Sequence, residues 1–475
     1  MSLLKTDGYK FSMAEAGWPL RRETFYFSHR KCAGVVPFDT ETLIRAMLPT
    51  RESADYAFLS KHDYDMGGGF KAAMGDHAAL SVHALPFGAT FLPREPIASI
   101  TGPSALVSWL EPLVLQLHYR IQIATLALSD PAALAEDVRV VTCGEQRDLV
   151  LETLDAVGVK APPIAVDSAA YVARVKAAAE ELVGIVKDPG RLFEVGLRAA
   201  SCVSQHLLAL EGCKAAGITR TSHVYGAHAL GMIPVGTMGH EHIQRFGSDA
   251  AAFRAMRDRR PGRSSYLLDT FDTLRSGIPS AFDLIQERAE TGDSIRYDSG
   301  DKEAQYRFAA AEAARRGIRP IQILEDSFDA PMTARFEELR EEVGLTPNEQ
   351  FYGYGGHLVA RTSGSRFTRD RVSAVFKLSQ TANTPTMKFG DEAGAGKESV
   401  PGNPVVFRKK DDPGQGLIGQ RGEAPPEGYA LLTGGSADRP FTPWIGECRV
   451  ALSPASQRLA DALRSQRTAL LGAKR

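Results

Sequence analysis

What this chain lacks narrows its function before any motif is read. Its 475 residues include only 5 Cys, and no two of them stand in C-x-x-C spacing. An odd, scattered set of thiols gives neither a disulfide framework nor a zinc-binding spacing, so reduced cysteines in a cytoplasmic protein are expected. Neither sign of charge dominates, with Lys+Arg 56 against Asp+Glu 57. A nearly neutral chain has no broad electrostatic footprint for nucleic acid; small phosphorylated substrates remain open, because they need only local charge. Long hydrophobic runs are also missing. The start, Met1-Ser2-Leu3-Leu4-Lys5, has no apolar core of the kind a secretory leader needs. The most apolar stretch, near 104–129, is broken by Glu111, His118 and Arg120, which predicts a buried helix and no membrane partner.

What is present is a change of rhythm along the chain. Residues 76–103 alternate short apolar runs with Pro and Gly, the pattern of short strands. A helix is predicted over 104–128, kinked by Pro112, and an Ala-rich one over 168–187. From about 190, short apolar runs each end in polar or glycine residues and lead into a helix. The runs are Leu192–Val195, Gly217-Ile218, Ile233–Val235, Tyr266–Leu268, Ser294–Tyr297, Ile321–Leu324 and Gln350–Tyr352. Alternating βα units predict a parallel sheet, open or closed into a barrel, with functional groups at the carboxyl ends of the strands. Those ends carry Arg198, Ser222, His240, Asp269, Arg296, Asp298 and Asp326. Residues 389–443 read as a loop-rich excursion, and 454–472 as a helix capped by Ser453. The expected organisation is an N-terminal α/β sheet domain over 1–135 and a βα-barrel catalytic domain over 136–375. A loop-rich segment and helix over 376–475 would pack back on the N-terminal domain.

Each candidate group has a functional and a bland reading. Gly353-Tyr354-Gly355-Gly356 ends the last strand and reads either as a tight turn or as a backbone cradle for phosphate. Gly394-Ala395-Gly396-Lys397 lacks the spacing of a nucleotide-binding loop. Asp298 is either a ligand of ribose or of a magnesium–phosphate complex, or a helix cap; Asp269 poses the same choice. His240, after Gly236-Thr237-Met238-Gly239, can act as base, metal ligand or phosphate acceptor. The pair His240 and His242 admits a metal-hydrolase reading, although the other strand ends offer Asp and Arg instead of further histidines.

In order along the chain, these motifs resemble the nicotinate phosphoribosyltransferase family, related to nicotinamide phosphoribosyltransferase. The resemblance begins at Thr6-Asp7-Gly8-Tyr9-Lys10-Phe11-Ser12-Met13. It continues through Pro86-Phe87-Gly88-Ala89, Glu95-Pro96, Gly102-Pro103, Glu111, Thr221-Ser222 and Gly236-Thr237 with His240. Leu268-Asp269-Thr270-Phe271-Asp272, Asp298-Ser299-Gly300-Asp301 and Lys377-Leu378 complete it. The resemblance implies a type II phosphoribosyltransferase fold, an incomplete TIM-like βα barrel plus an N-terminal α/β sheet domain, in a head-to-tail homodimer with shared sites. It implies that Tyr9 stacks on a pyridine ring from the partner chain, and that Arg30, Arg369 and Lys377 face phosphates, also in trans. Arg198 and Arg296 would hold the pyridine and pyrophosphate region, Asp269 and Asp298 ribose and magnesium, and Gly355 and Gly356 the 5′-phosphate. Asp326 joins the substrate-binding set. His240 matches the family's histidine that ATP phosphorylates. The implied substrates are nicotinate, phosphoribosyl pyrophosphate and ATP, with magnesium, in the first step of NAD salvage.

Three positions depart from the family pattern. Val195 replaces an aromatic, Ala199 a second arginine, and His223 an asparagine. The rival expectations are a nicotinamide phosphoribosyltransferase, a barrel metal-dependent hydrolase, and a non-catalytic nucleotide sensor. Ser222 favours nicotinate over nicotinamide, because the nicotinamide branch carries an aspartate there that would repel a carboxylate.

Overall fold

The computed structural model describes residues 1–287, 292–391, 398–437, 440–444 and 446–472. Gly394–Lys397 lie outside the described residues. The barrel has seven short strands: Leu192–Glu194, Arg220–Thr221, Ile233–Pro234, Ser265–Leu267, Ser294–Tyr297, Ile321–Leu324 and Gln350–Tyr354; six fall on the expected runs, and the second lies just past Gly217-Ile218. Each is parallel to its neighbours. The chain-order strands lie in the sequence third, second, first, seventh, sixth, fifth, fourth. The first strand therefore pairs with the seventh, and the sheet curls into a barrel open between the third and fourth. Helices such as Lys302–Arg316 and Ala330–Glu342 cover it, capped by Asp301 and Asp329, whose carboxylates accept from Ala304 N and Met332 N. Gly317, at φ 68°, ends the first of these in the left-handed conformation that costs glycine least.

The second layer is an antiparallel sheet in the order Thr384–Pro385, Ala374–Thr381, Arg22–His29, Pro96–Pro103, Ser81–Ala84. Seven consecutive residues of its central strand, Glu23–His29, are buried, because both faces are covered. The 104–129 helix packs into the same core and is broken, as Pro112 demands, into Ser104–Trp109 and Glu111–Ser129. Among the described residues, no helix is long and apolar enough to cross a membrane.

Two expectations need correction. The excursion over 389–443 is no simple loop. Its described residues form most of a four-stranded sheet from Pro404–Lys409, Gln415–Gln420, Tyr429–Leu431 and Arg449–Leu452. Strands this short, punctuated by turns such as Asp412-Pro413-Gly414, leave little periodicity to read. The C-terminal segment also divides its attachment. Its sheet meets the N-terminal layer, where Ser99 Oγ donates to Pro404 O at 2.7 Å and Arg408 pairs with the buried Glu95. The helix Pro454–Gly472, capped by Ser453, instead packs on the barrel core through Ala460, Leu463 and Leu470. Arg467 secures it with a bond to Phe271 O at 2.8 Å. The boundary drawn between 375 and 376 falls inside strand Ala374–Thr381, an interior strand of the N-terminal sheet.

His29 closes the central strand in an apolar setting, edge-on to Phe27 and Phe91. Neither ring nitrogen has a hydrogen-bond partner among the described residues, and burial lowers its pKa from 6.5 to about 3. The neutral ring is thus the folded form, whereas the unfolded chain takes up a proton below pH 6.5. The stability this group contributes is complete above pH 6.5 and lost as pH falls toward 3. We expect His29→Phe to shed one proton's worth of acid-side slope, about 1.4 kcal/mol per pH unit. Urea unfolding of variant and wild type at pH 7, 6, 5 and 4 measures this; parallel curves would contradict it.

Candidate active site

The carboxyl ends of the barrel strands surround a cavity of about 140 Å³. Five of the seven strands supply lining residues, mostly from the turns that follow them. The first strand leads into a short turn, Leu197–Ala199, that carries Arg198. Ser222 follows the second, and His240 opens the helix His240–Phe246 after the third. Asp269 follows the fourth, Arg296 lies within the fifth with Asp298 just beyond it, and Glu325 and Asp326 follow the sixth. The N-terminal layer closes the cavity with Tyr9, Glu111, Arg369, Phe376 and Lys377.

The floor is an ionic cluster. His240 Nε2 lies 2.9 Å from Asp269 Oδ1 and 3.7 Å from Asp298 Oδ2. Lys388 Nζ lies 3.1 Å from Asp269 and 3.7 Å from Asp298, and Ser299 donates to Asp269 as well. Burial would raise the Asp269 carboxyl, but Lys388 and His240 hold it well below the usual range. Burial and Asp269 push Asp298 up, and His240, Lys388 and Arg296 outweigh them to hold it at about 2. His240 moves the other way: burial and Lys388 lower it to about 4 against the pull of Asp269. At neutral pH the imidazole is therefore uncharged. Because ionised Asp269 can only accept, Nε2 carries the proton and Nδ1 keeps the lone pair.

The walls are also charged. Arg296 donates to Thr237 and lies 3.6 Å from Glu325, whose carboxyl burial raises. Arg198 faces Glu111 at 3.6 Å and Asp7 at 4.0 Å, and its guanidinium carbon sits 5.9 Å from the Tyr9 ring centre. Tyr9 donates to Glu111 at 2.5 Å. Burial, with Lys388 and Arg30 nearby, brings the Lys377 ammonium down to about 7. Arg30 acts on Lys377 by its charge and is not among the residues that line the cavity.

Several site expectations change. The resemblance put Tyr9, Arg30, Arg369 and Lys377 across a dimer interface. One chain brings Tyr9, Arg369 and Lys377 to its own cavity. The reason is local: Gly8 N donates to Ser222 O at 2.7 Å, and Asp7 forms an antiparallel bridge with His223. A Cβ on Gly8 would lie 2.3 Å from Val235 O, and one on Gly236 2.5 Å from Gly8 C, so two glycines permit this backbone approach. Ser222 does not cap a helix. The next helix starts at Val224 behind His223, and the Ser222 hydroxyl donates to Asp7 Oδ1 at 2.6 Å instead. Gly355 and Gly356 lie off the cavity wall. Side chains there would press on Val195 O at 3.3 Å and the Asp370 carboxylate at 2.8 Å, so the glycines allow neighbouring segments to pack closely. His242 faces away from His240, with Nε2 3.0 Å from Ala252 O, so the two-histidine metal reading fails. Asp301, by contrast, is the helix cap that its position before Lys302–Arg316 implies.

Sequence reasoning missed Lys388, Asp7, Glu111, Glu325 and Thr237 as participants. Asp7 and Glu111 sit inside quoted motifs, Glu325 adjoins Asp326, and Thr237 adjoins the glycines before His240. Lys388 stands at the edge of the supposed loop region, with no pattern to mark it.

No protein-family model matches the chain. Among curated relatives, a nicotinate phosphoribosyltransferase of Mycobacterium tuberculosis is 29% identical over 197 residues, covering 41% of this chain and 39% of the relative. A nicotinate phosphoribosyltransferase of Bos taurus is 24% identical over 370 residues, covering 74% of this chain and 64% of the relative. The chain thus spans less than two thirds of the length of these relatives. Among solved structures, nicotinate phosphoribosyltransferase from Porphyromonas gingivalis superposes with a TM-score of 0.60 at 19% identity, covering 84% of this chain and 95% of that one. The chain has the type II phosphoribosyltransferase fold, and the resemblance read from its motifs is met again in relatives and in structure.

Proposed function

We propose that this protein is a nicotinate phosphoribosyltransferase, which joins nicotinate to phosphoribosyl pyrophosphate to give nicotinate mononucleotide and pyrophosphate in NAD salvage. One observation carries the reading. On the strand ends of this fold, a single cavity gathers Tyr9, Arg198, Arg296 and Lys377 with His240 and Asp298, which Asp269 and Lys388 back as ion-pair partners. Cations beside carboxylates suit a polyphosphorylated sugar, and the tyrosine face suits a flat ring.

In this reading the pyridine nitrogen bonds to C1′ as the C1′–pyrophosphate bond breaks. Tyr9 and Arg198 orient the ring, and Arg296 and Lys377 take up the charge that develops on the leaving pyrophosphate. The ionised Asp298 lies beside the sugar and favours the positive charge that builds at C1′. Asp269 and Lys388 on this floor are buried, which strengthens the interactions they make.

Magnesium fits one residue here better than the others. Asp269 is already engaged by His240, Ser299 and Lys388, whereas Asp298 is ionised and its side chain is 28% exposed. Asp298 would hold the ion together with substrate phosphates, in the way magnesium is commonly shared. When bound, it would neutralise pyrophosphate charge. His240 would accept a phosphoryl group from ATP at Nδ1, with Nε2 fixed by Asp269. Hydrolysis of that phosphohistidine would drive the transfer forward.

The direct test is an assay with nicotinate and nicotinamide side by side, with phosphoribosyl pyrophosphate and magnesium, with and without ATP. Turnover of nicotinate, stimulated by ATP, is expected. Preference for nicotinamide would contradict the substrate reading, and product binding without turnover would identify a sensor.

His240→Ala should retain slow transfer and lose the stimulation by ATP. In wild type that stimulation should hold from neutral pH down to about 5 and decline as pH falls through about 4, where the imidazole gains its proton. ATP coupling that survives the substitution would remove His240 from this role.

Ser222 offers a test of substrate choice. Its hydroxyl already serves Asp7, whose carboxyl burial raises. Ser222→Asp would set a second carboxylate against Asp7 and against the carboxylate of nicotinate, a repulsion of about 2–4 kcal/mol. Ser222→Asn has the same bulk without the charge. We expect kcat/KM for nicotinate to be at least about tenfold lower in the aspartate variant than in the asparagine variant. Equal values would take Ser222 out of substrate selection.

A further inference from the structure

Outside the active site, two thiols meet where two helices begin. Cys143 precedes the helix Gly144–Ala156, and Cys202 precedes Val203–Ala215. Their sulfurs are 3.6 Å apart, although the residues stand 59 positions apart in sequence. We propose that Cys143 and Cys202 form a modification site, a dithiol that a peroxide oxidises to an intramolecular disulfide.

The surroundings favour this chemistry. The amide ends of both helices converge on the sulfur pair, and helix N-termini stabilise thiolate. Cys143 Sγ accepts from Gln146 N at 3.4 Å, and the Cys202 thiol can donate to it. These bonds, the one from Cys202 foremost, lower the Cys143 pKa against the effects of burial and of Glu145, while the Cys202 pKa is raised. Cys143 is thus the nucleophile and Cys202 the resolving thiol. The contact is held in register by its neighbours: Gln146 Nε2 donates to Ser201 Oγ at 3.1 Å, and Glu145 accepts from Ser204 N at 3.0 Å.

The reaction balances within the pair. The Cys143 thiolate attacks one oxygen of hydrogen peroxide, the O–O bond breaks, and hydroxide leaves to take up the proton Cys143 has lost. The Cys202 sulfur then attacks the sulfenic sulfur of Cys143. The S–O bond breaks, and the departing hydroxide takes the Cys202 proton. Two thiols lose two electrons, and peroxide becomes two waters. A disulfide requires the sulfurs to close to about 2.05 Å, a short approach from the present contact. Cys143 is 5% and Cys202 3% exposed, which admits an oxidant the size of peroxide and resists bulky alkylating agents.

The test uses the full chain. Reduced protein is treated with hydrogen peroxide, quenched, unfolded in guanidinium and labelled with N-ethylmaleimide. Of the 5 Cys, three should take label after oxidation and all five after dithiothreitol. Peptide mapping should show the 143–202 crosslink, with the intact mass lower by two hydrogens. The melting temperature should rise by several degrees on oxidation, because the crosslink closes a long loop. Cys143→Ser and Cys202→Ser, which keep a small polar side chain, should lose the crosslink and the shift. Cys213→Ser, at a buried thiol elsewhere, should keep both. Five labelled thiols after oxidation, oxygen addition without a crosslink, or an unchanged melting temperature in crosslinked protein would each overturn the proposal. None of these readouts depends on the catalytic reading.

Discussion

A buried chain of charges ties the two layers of this protein together. Lys10 lies 2.5 Å from Glu111 and 3.0 Å from Glu241, and Ser108 donates to Glu241 at 2.5 Å. Arg245, one turn further along the helix of His240, continues the chain to Glu23 at 2.9 Å. Arg245 Nε reaches both carboxylate oxygens of Glu23, and Ser104 and Thr381 each donate to one of them as well. Removing one partner from such a buried set costs about 3–5 kcal/mol, because the other charge is stranded. That is a large share of the roughly 5–15 kcal/mol that holds a typical domain folded. Every member is accounted for by another, so the N-terminal segment, the Glu111 helix, the His240 helix and the central strand Arg22–His29 are placed relative to one another.

The active cavity is built from the same groups. Glu111 faces both Lys10 and Arg198, and Glu241 lines the cavity beside His240. The network that joins the layers therefore also sets the electrostatic field inside the cavity. Arg198 meets a negative corner, whereas Asp269 and Asp298 are held ionised by Lys388 and by each other's partners. These opposed environments keep an uncharged histidine and two charged carboxylates within one small volume at neutral pH.

Much of this was legible in the sequence, for physical reasons that differ by element. The barrel strands announce themselves because each apolar run stops at polar or glycine residues and a helix follows. Arg198, Ser222, His240, Asp298 and Asp326 all reach the cavity from those stops, and Arg296 from within its strand. The helix Lys302–Arg316 has ends that sequence alone marks, Asp301 as its cap and Gly317 as its stop. The later sheet was missed because strands of three to six residues cannot establish a period. Lys388 was missed because a single lysine on an extended segment carries no local signature. The position of Tyr9 in its own chain's cavity depends on two glycines meeting across about 230 residues, and no local pattern reports such a contact.

The opening between the third and fourth barrel strands bears on how the fold can be divided. At a closed seam, strand would bond to strand. Here the helix of His240 emerges from the third strand and leans on the other layer, with Gln244 donating to Leu378 O at 3.2 Å and Arg245 bound to Glu23. The N-terminal sheet acts as the missing stave of the barrel. The two layers are consequently not modules that recombination could trade freely: a βα barrel excised from this chain would keep its hydrogen-bonded strands and lose the surface that holds His240 in place.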